Sequence, residues 1–277
     1  MIVFYHKNCP DGFASAWVAW KKFKAKGQYF PLNYQSPFKH FIQKEKIYFF
    51  DVIPERKTLE DLIEKGNEIT IIDHHLSAKR ILDFDKPKNM KVKLNMKHSA
   101  SVLVWRYFFS KKKVPELLLY IENMDLWKFK KPYTREILAT INTPDFEFKK
   151  WSKLVKEIEN KKTRKKYIEA GKKVVEYQDE IIAGLVQEAK EVEFSKCKTL
   201  VVNSSILISE IGDALIKKRP PMAVIWFETG EEKRISLRSN GKIDVSKIAE
   251  KYGGGGHKKA AGFSLKANRP FPWKEYF

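Results

Sequence analysis

The sequence predicts an α/β protein. Its N-terminal domain is a parallel sheet with helices on both faces, followed by a helical connector and a smaller mixed α/β C-terminal domain. Three observations carry that prediction. Short β-branched or aromatic runs alternate with amphipathic stretches through the first half of the chain. A long, charged, helix-periodic segment follows over residues 151–192. A second alternation of strand and helix patterns then starts near Cys197. The expected boundaries are 1–150, 151–195 and 196–277.

Taken in order, residues 2–5 read as a strand. Residues 11–24 read as a helix, with Phe13, Ala16, Trp17, Trp20 and Phe23 on one stripe and Gly27 as its stop. Residues 47–51 form a second strand, 59–65 a short helix ended by Gly66, and 69–73 a third strand. Helical patterns follow at 99–109 and 115–123. This βαβαβ rhythm implies a parallel sheet covered by helices on both faces. Residues 151–192 read as one connector helix packed on one side, with a plainly solvated helix as the alternative; Lys161, Lys162, Arg164, Lys165 and Lys166 lie in its middle. The C-terminal part reads as strand 199–202, helix 208–217, strands 223–227 and 234–238, helix 244–251, a glycine run, and strand 260–265.

Composition narrows the partners. The chain has 277 residues and is 43% hydrophobic, enough for real cores, but its apolar runs are short and interrupted by charge, so no membrane span is expected. The start, Met1-Ile2-Val3-Phe4-Tyr5, has no basic leader, and two distant cysteines, Cys9 and Cys197, make no disulfide framework. A cytoplasmic setting is expected. Fifty-four Lys and Arg against 34 acidic residues leave a formal charge of +20. That field attracts polyanions. A hot habitat also enriches lysine, but acidic residues are not raised here to match.

In open parallel sheets, ligands bind beyond the carboxyl ends of the strands. Three predicted strands end in metal-type ligands: His6, Asp51 and the run Asp73-His74-His75. Asp11 opens the first helix, where it could simply be an N-cap, and Asp125 follows a later apolar helix. Carboxylate and imidazole ligands suit manganese or magnesium better than a structural zinc. Two such ions about 3.5–4 Å apart, sharing one carboxylate, activate water and stabilise both oxygens at phosphorus. Asp51, on the central strand, is the natural bridge. A second cluster, Gly253-Gly254-Gly255-Gly256-His257-Lys258-Lys259, has more glycines than a helix C-cap needs, and its bare amides suit an anion cradle. Arg238, at a strand end, could clamp a phosphate or be a surface arginine.

Together these residues resemble the DHH family of phosphoesterases, which includes single-strand exonucleases and nanoRNA/pAp phosphatases. The stretch from Tyr5 to Gly12 resembles the first motif, Phe50-Asp51 the second, Asp73-His74-His75 the third and Asn123-Met124-Asp125 the fourth. Gly253 to His257 resembles the glycine-rich signature of the DHH-associated C-terminal domain. The resemblance implies that Asp11, Asp51, His74 and Asp125 hold one manganese or magnesium ion, and that His6 and Asp51 hold a second. His75 would contact the scissile phosphate, with Asp51 and His74 sharing the catalytic role. Gly254, Gly255, Gly256, His257 and Arg238 would bind the substrate's nucleotide or terminal phosphate across an interdomain cleft. One departure stands out. The family's first motif carries two aspartates flanking one residue, and here Cys9 takes the place of the first. That weakens the expected His6 ion site, while the four-ligand site is intact.

Other residues have plainer readings. His40 and His98 are expected on the surface or at a helix start, and Trp17, Trp20 and Trp105 in the core. Trp127-Lys128-Phe129 is expected to be core packing, with a base-stacking platform as the alternative. Phe271, Trp273 and Phe277 are expected to pack or to form a homodimer contact. The leading expectation is a phosphodiesterase, of exonuclease or oligonucleotidase type, that releases nucleoside monophosphates from short or single-stranded oligonucleotides. The alternatives are a phosphatase of small nucleotides such as pAp, a cyclic-dinucleotide hydrolase, or a catalytically silent nucleic-acid-binding module.

Overall fold

The computed structural model describes residues 1–33, 37–141 and 147–275. It begins β1 (Ile2–His6), α1 (Pro10–Phe23), a short 3-10 turn (Lys24–Lys26), β2 (Gln28–Leu32), β3 (Lys46–Phe50), α2 (Arg56–Glu64), β4 (Glu68–Asp73), α3 (Leu76–Ile81) and β5 (Met90–Leu94). Helices α4 (Ala100–Phe108), α5 (Glu116–Asp125), α6 (Thr134–Ala139) and α7 (Phe148–Glu159) follow, and then the long α8 (Lys161–Gln187). The chain ends with β6 (Lys190–Phe194), β7 (Cys197–Asn203), α9 (Ile208–Lys218), β8 (Met222–Thr229), β9 (Glu232–Ser239), α10 (Val245–Glu250), β10 (Gly255–His257), β11 (Ala260–Lys266) and β12 (Lys274–Glu275). Two compact units divide inside α8, between Val175 and Glu176.

The first unit is built on a five-stranded sheet in the order β2-β1-β3-β4-β5, parallel throughout. Both faces are covered, which is why its inner strands are apolar at nearly every position. Val3, Phe50 and Ile72 pack with α1, α4, α5 and α7. Phe4, Ile47, Phe49, Ile69 and Ile71 face the other way, onto Leu59 and Leu62 of α2 and Ala78 of α3. Alternate residues of one strand therefore serve opposite layers. Phe4, Ile47, Phe49 and Phe50 are all fully buried, each worth about 1.5–3 kcal/mol against exposure. The edge strands read differently. β2 carries Pro31, and β5 exposes Lys91 and Lys93, both ordinary protections for an open edge.

The second unit holds a seven-stranded mixed sheet, β10-β11-β9-β8-β7-β6-β12. Only β7 and β8 run parallel there; the other pairs are antiparallel. Helix α10, Phe271 and Trp273 pack on one face with Val224, Leu237 and Phe263. Helix α9 and Ile182 of α8 pack on the other with Leu200, Val202 and Ile225.

The connector departs from expectation. The single helix expected over 151–192 is two helices and the start of a strand. The chain breaks at Asn160, whose Oδ1 accepts from the amides of Lys162 (2.9 Å) and Thr163 (3.2 Å) and so caps α8. Val192 lies in β6, fully buried. Likewise α1 stops at Lys24, which takes φ 53°, rather than at Gly27.

Candidate metal centre

Strands β1, β3 and β4 are neighbours and run in one direction, with Tyr5 opposite Phe50 and Phe50 opposite Ile72. Their last residues therefore emerge side by side, bringing His6, Asp51 and Asp73-His74-His75 to one rim. From β1 the chain crosses outward to β2, while β3, β4 and β5 succeed one another in the opposite direction. The seam between β1 and β3 is the point of reversal, where a crevice opens in such sheets. Asp51 sits at that seam in a left-handed backbone conformation, φ 59°, which an aspartate tolerates better than most residues. Its amide still bonds Ile72 O at 3.2 Å.

Helix α1 supplies the next ligand by close approach. A Cβ on Gly12 would stand 2.4 Å from His6 O, so only glycine lets the start of α1 lie against the end of β1. Asp11 then reaches across to α4. Its Oδ2 accepts from Ala100 N (2.7 Å), and its Oδ1 from Ser101 N (3.1 Å) and Ser101 Oγ (2.5 Å). Asp11 thus caps a helix, though α4 rather than the one it begins.

Asp51 is 1% exposed and is ringed by imidazoles. Its Oδ1 lies 3.2 Å from His74 Nε2 and 3.6 Å from His75 Nδ1, and its Oδ2 lies 3.4 Å from His6 Nδ1. His74 Nε2 is also 3.4 Å from Asp125 Oδ2, on the last residue of α5, and 4.0 Å from Asp11 Oδ2. One imidazole nitrogen is therefore shared by three carboxylates. Asp73 has a different task. Its Oδ1 accepts from the amides of His74 (2.5 Å) and His75 (2.8 Å) and lies 2.7 Å from His75 Nδ1. A carboxylate oxygen accepts, so Nδ1 donates, which fixes the tautomer and the ring orientation.

The electrostatics follow from crowding. Burial alone would lower His74, but the Asp51 hydrogen bond and the charges of Asp125, Asp11 and Asp51 hold it up at about 10. Burial and then the Asp11 charge push Asp125 up to about 8, although a quarter of its side chain (24%) still meets solvent. Burial also works against ionised Asp51, but hydrogen bonds from His6 and His74 and the charge of His75 bring it well below the usual carboxylate range. His75 is raised: burial opposes this, and the Asp73 bond and charge overcome it. The Cys9 thiol is pushed well up by burial and then by the charges of Asp51, Asp125 and Asp11.

Three groups of ligand atoms lie within 4.8 Å of one another: Asp51, Asp73, His74 and His75; Asp11, His74 and Asp125; and His6, Cys9 and Asp51. Carboxylates gathered this closely repel one another, and a divalent cation offsets that repulsion. The donor set, mostly oxygen and imidazole nitrogen, fits manganese or magnesium. All five sequence-predicted ligands, His6, Asp11, Asp51, His74 and Asp125, come together here with His75.

In the second unit, the predicted substrate residues have their own geometry. Gly253 takes φ 77°, with the amides of Gly253 and Gly254 returning to Glu250 O (3.1 Å) and Ala249 O (2.9 Å). This is a helix C-terminal cap. A Cβ on Gly254 would stand 2.1 Å from Gly262 O, and one on Gly256 2.5 Å from Ala260 O. Gly255 alone of the run's last three has open space around its Cβ position. Gly255–His257 is strand β10 rather than a loop, paired with β11. Register sets Arg238 opposite Ala260, and Ala260 opposite His257. Directly opposed residues share a sheet face, so Arg238 and His257 flank the small Ala260 in one row. Arg238 Nη2 donates to Ser209 Oγ at 3.0 Å, and a Cβ on Gly212 of α9 would meet Arg238 Cγ at 2.4 Å. Burial lowers its pKa, though a guanidinium stays charged.

Residues 198–271 match the family model of the DHHA1 domain. The chain is 29% identical over 289 aligned residues to an uncharacterized protein of Acanthamoeba polyphaga mimivirus, covering 95% of this chain and 67% of that protein. It is 44% identical over 66 residues to the oligoribonuclease NrnB of Bacillus subtilis, covering 24% of this chain and 16% of the relative. Among solved structures, the DHH domain of a member of a family of ribosomal proteins superposes with TM-score 0.60 at 16% identity, over 96% of this chain and 82% of that one. An exopolyphosphatase-related protein from Bacteroides fragilis gives 0.55 at 15% identity, over 98% and 87%.

Residues 198–271 carry a DHHA1 domain, and the chain as a whole shares the fold of a DHH-domain structure.

In the first unit, the triplet divides its labour: Asp73 shapes the turn and orients His75, while His74 sits among the acids. The sequence placed Asp73 in the metal-type run but gave it no role of its own. An aspartate two residues before a helix N-cap is an Asx-turn signal that would have found it. Asn123, read from the sequence only as part of the fourth motif, also has a role of its own. It is buried, its Oδ1 accepts from Lys130 N (3.1 Å), and its Nδ2 donates to Thr134 Oγ1 (2.8 Å), which pins the loop just after Asp125. That loop corrects one expectation. Trp127 and Phe129 are not core: they are 38% and 39% exposed, edge to face at 4.7 Å, with φ 51° and 45°. The pinned backbone turns them outward. Trp17 and Trp105 are buried as expected, and their rings stack; Trp20 is only partly buried. His98 stands at the start of α4, 3.0 Å from Glu122, and His40 is an exposed loop residue against Phe4, Phe30 and Phe38. Trp273 is packed and Phe271 half-buried against it; Phe277 lies outside the described residues. No helix among the described residues is long and apolar enough to cross a membrane.

Proposed function

We propose that this chain is a divalent-metal-dependent phosphodiesterase that hydrolyses short or single-stranded oligonucleotides to nucleoside monophosphates. One observation carries the reading: a buried carboxylate, Asp51, at the sheet's reversal seam, with His6, His74 and His75 nitrogens at 3.4, 3.2 and 3.6 Å. Asp11, Asp51, His74 and Asp125 would hold one manganese or magnesium ion, and His6 with Asp51 a second. Bound there, such ions supply an activated water and neutralise charge on the phosphoryl group.

The chain's own residues do the rest. His75, oriented by Asp73, donates to a phosphoryl oxygen as charge builds on it. Trp127 and Phe129 offer exposed ring faces to bases, a contact that tolerates any sequence. Arg238 and His257 bind a substrate phosphate, and the Gly255 amide region adds a close backbone approach. The charge of +20 favours a polyanionic substrate over a small nucleotide. The segment shared with a protein named as an oligoribonuclease supports the same class. A cytoplasmic setting and a homodimer belong to this reading.

The test is a substrate panel with the purified full chain and manganese: a pentaribonucleotide, single-stranded DNA, pAp and a cyclic dinucleotide. Release of nucleoside monophosphates from the first two, lost on chelation, is the expected result. Turnover of pAp or the cyclic dinucleotide alone would move the assignment to a small-nucleotide phosphoesterase. Binding without turnover of any would make the chain a silent nucleic-acid-binding module.

A further inference from the structure

Cys9 stands where the resemblance led us to expect an aspartate, and the helix it precedes does not explain it. It occupies the N-cap position of α1, φ −118° and ψ 126°, with Pro10 after it. Its carbonyl accepts from Phe13 N at 2.9 Å, but its side chain makes no capping hydrogen bond. Serine, threonine, aspartate and asparagine are the residues that stabilise this position, and cysteine is not among them. What Cys9 does have is company: its Sγ, a His6 ring nitrogen and an Asp51 carboxylate oxygen all lie within 4.8 Å of one another. Two ligands on a single zinc-like ion, with metal–sulfur about 2.3 Å and metal–nitrogen about 2.0–2.1 Å, are separated by less than that span. Small side-chain adjustments bring all three onto one ion.

The geometry points to Cys9 as a thiolate ligand that makes the His6–Cys9–Asp51 site selective for a thiophilic divalent ion such as zinc, iron or cobalt. This rests on the metal-centre reading and adds which ion each half of the centre takes. The neighbouring set, Asp11, His74 and Asp125, has two oxygens and one nitrogen and no sulfur, so it keeps the preference for manganese or magnesium. The two halves of one centre thus differ in softness, with Asp51 between them. On binding, the Sγ–H bond breaks, its proton leaves to solvent, and a sulfur–metal bond forms with no change of oxidation state.

Cobalt(II) tests this without any turnover. Cys197, in β7, is replaced first by serine (Cys197→Ser), so that Cys9 is the sole thiol in the full chain. Titration should raise a saturable ultraviolet thiolate-to-cobalt charge-transfer band along with the visible d–d bands of bound cobalt. Cys9→Ser and Cys9→Ala in that background should lose the ultraviolet band and keep visible bands from the sulfur-free half. Saturating d–d bands with no charge-transfer band in the Cys9 protein would overturn the assignment while leaving the metal centre standing. No cobalt spectrum at all would overturn both. A second arm needs no thiol spectrum. Cys9→Asp should lower the preference for cadmium over manganese, measured by competition calorimetry, by about tenfold or more; an unchanged ratio would equally overturn it.

Discussion

The rim of the parallel sheet and the glycine turn of the second unit both announce themselves as short runs of unusual residues, yet they are built for different reasons. At the rim, the residue types answer to no packing need. Asp51 is 1% exposed among three imidazoles, and Asp125 is raised to about 8 by burial and a neighbouring carboxylate. A fold alone has no use for such a cluster, because buried charges cost more than they return unless something pairs them. At the glycine turn, geometry accounts for most of the run. Gly253 caps α10, and Gly254 and Gly256 lie under backbone oxygens at 2.1 and 2.5 Å from where a Cβ would stand. The comparison teaches that a polar run inside an apolar sheet is evidence of chemistry, whereas a glycine run must first be discounted for packing.

The sharpest way to break the contrast is to remove the bridge. Asp51→Ala gives up an aspartate that tolerates the left-handed backbone at φ 59° and so costs some stability, but in a folded variant hydrolysis should fall by about 10²–10³-fold. An unchanged rate in a folded variant would refute the centre. Next comes Asp73→Asn, which keeps the size of the side chain but weakens the hold on His75 Nδ1 (2.7 Å). A group acting through a site residue typically costs about 10–100-fold. The expected signature is a fall in kcat at little change in KM, with thermal stability close to the parent. A loss of stability in step with activity would mean that Asp73 is only a turn residue.

These differences also explain how much could be read from the chain. The inner strands β1, β3 and β4 were legible because burial on two faces forces unbroken apolar runs such as Ile69 to Ile72. Their parallel order then brought His6, Asp51 and His74 together with no further information. The edge strands β2 and β5 were not legible: Pro31 and the exposed Lys91 and Lys93 disguise them, and edges are where such residues belong. The break at Asn160 was hidden inside a charge run whose helical period continues on both sides. Trp127 and Phe129 misled because aromatic residues are usually buried, and only the tertiary pin at Asn123 turns them out. The Asp11 cap on α4 joins residues about ninety apart, a contact that no local pattern encodes.

Gly254→Ala tests the packing side. With Gly262 O at 2.1 Å and Phe263 Cβ at 2.5 Å from the added carbon, β11 must shift. Overpacking of this kind costs about 1–3 kcal/mol. Urea unfolding of the full chain should show the loss, and the cobalt spectrum of the first unit should be unaffected.

Gly255→Ala should have the smallest effect on the fold and the most specific effect on binding. Nothing lies within 4 Å of the added carbon, and this glycine is not among those with positive φ. Relief of unfolded-chain entropy then offsets any local cost, leaving stability within about 0.5 kcal/mol of the parent. If the bare amide region serves a phosphate, the methyl group nonetheless obstructs its approach, and Kd for a 5′-phosphorylated oligonucleotide rises while the unfolding midpoint stays put. Equal binding by the parent and the variant would remove the phosphate role from Gly255 and leave capping and packing as the reasons for the other three. The contrast between the two regions would then be sharper: chemistry at the parallel rim, and three of the run's four glycines in the second unit held for shape.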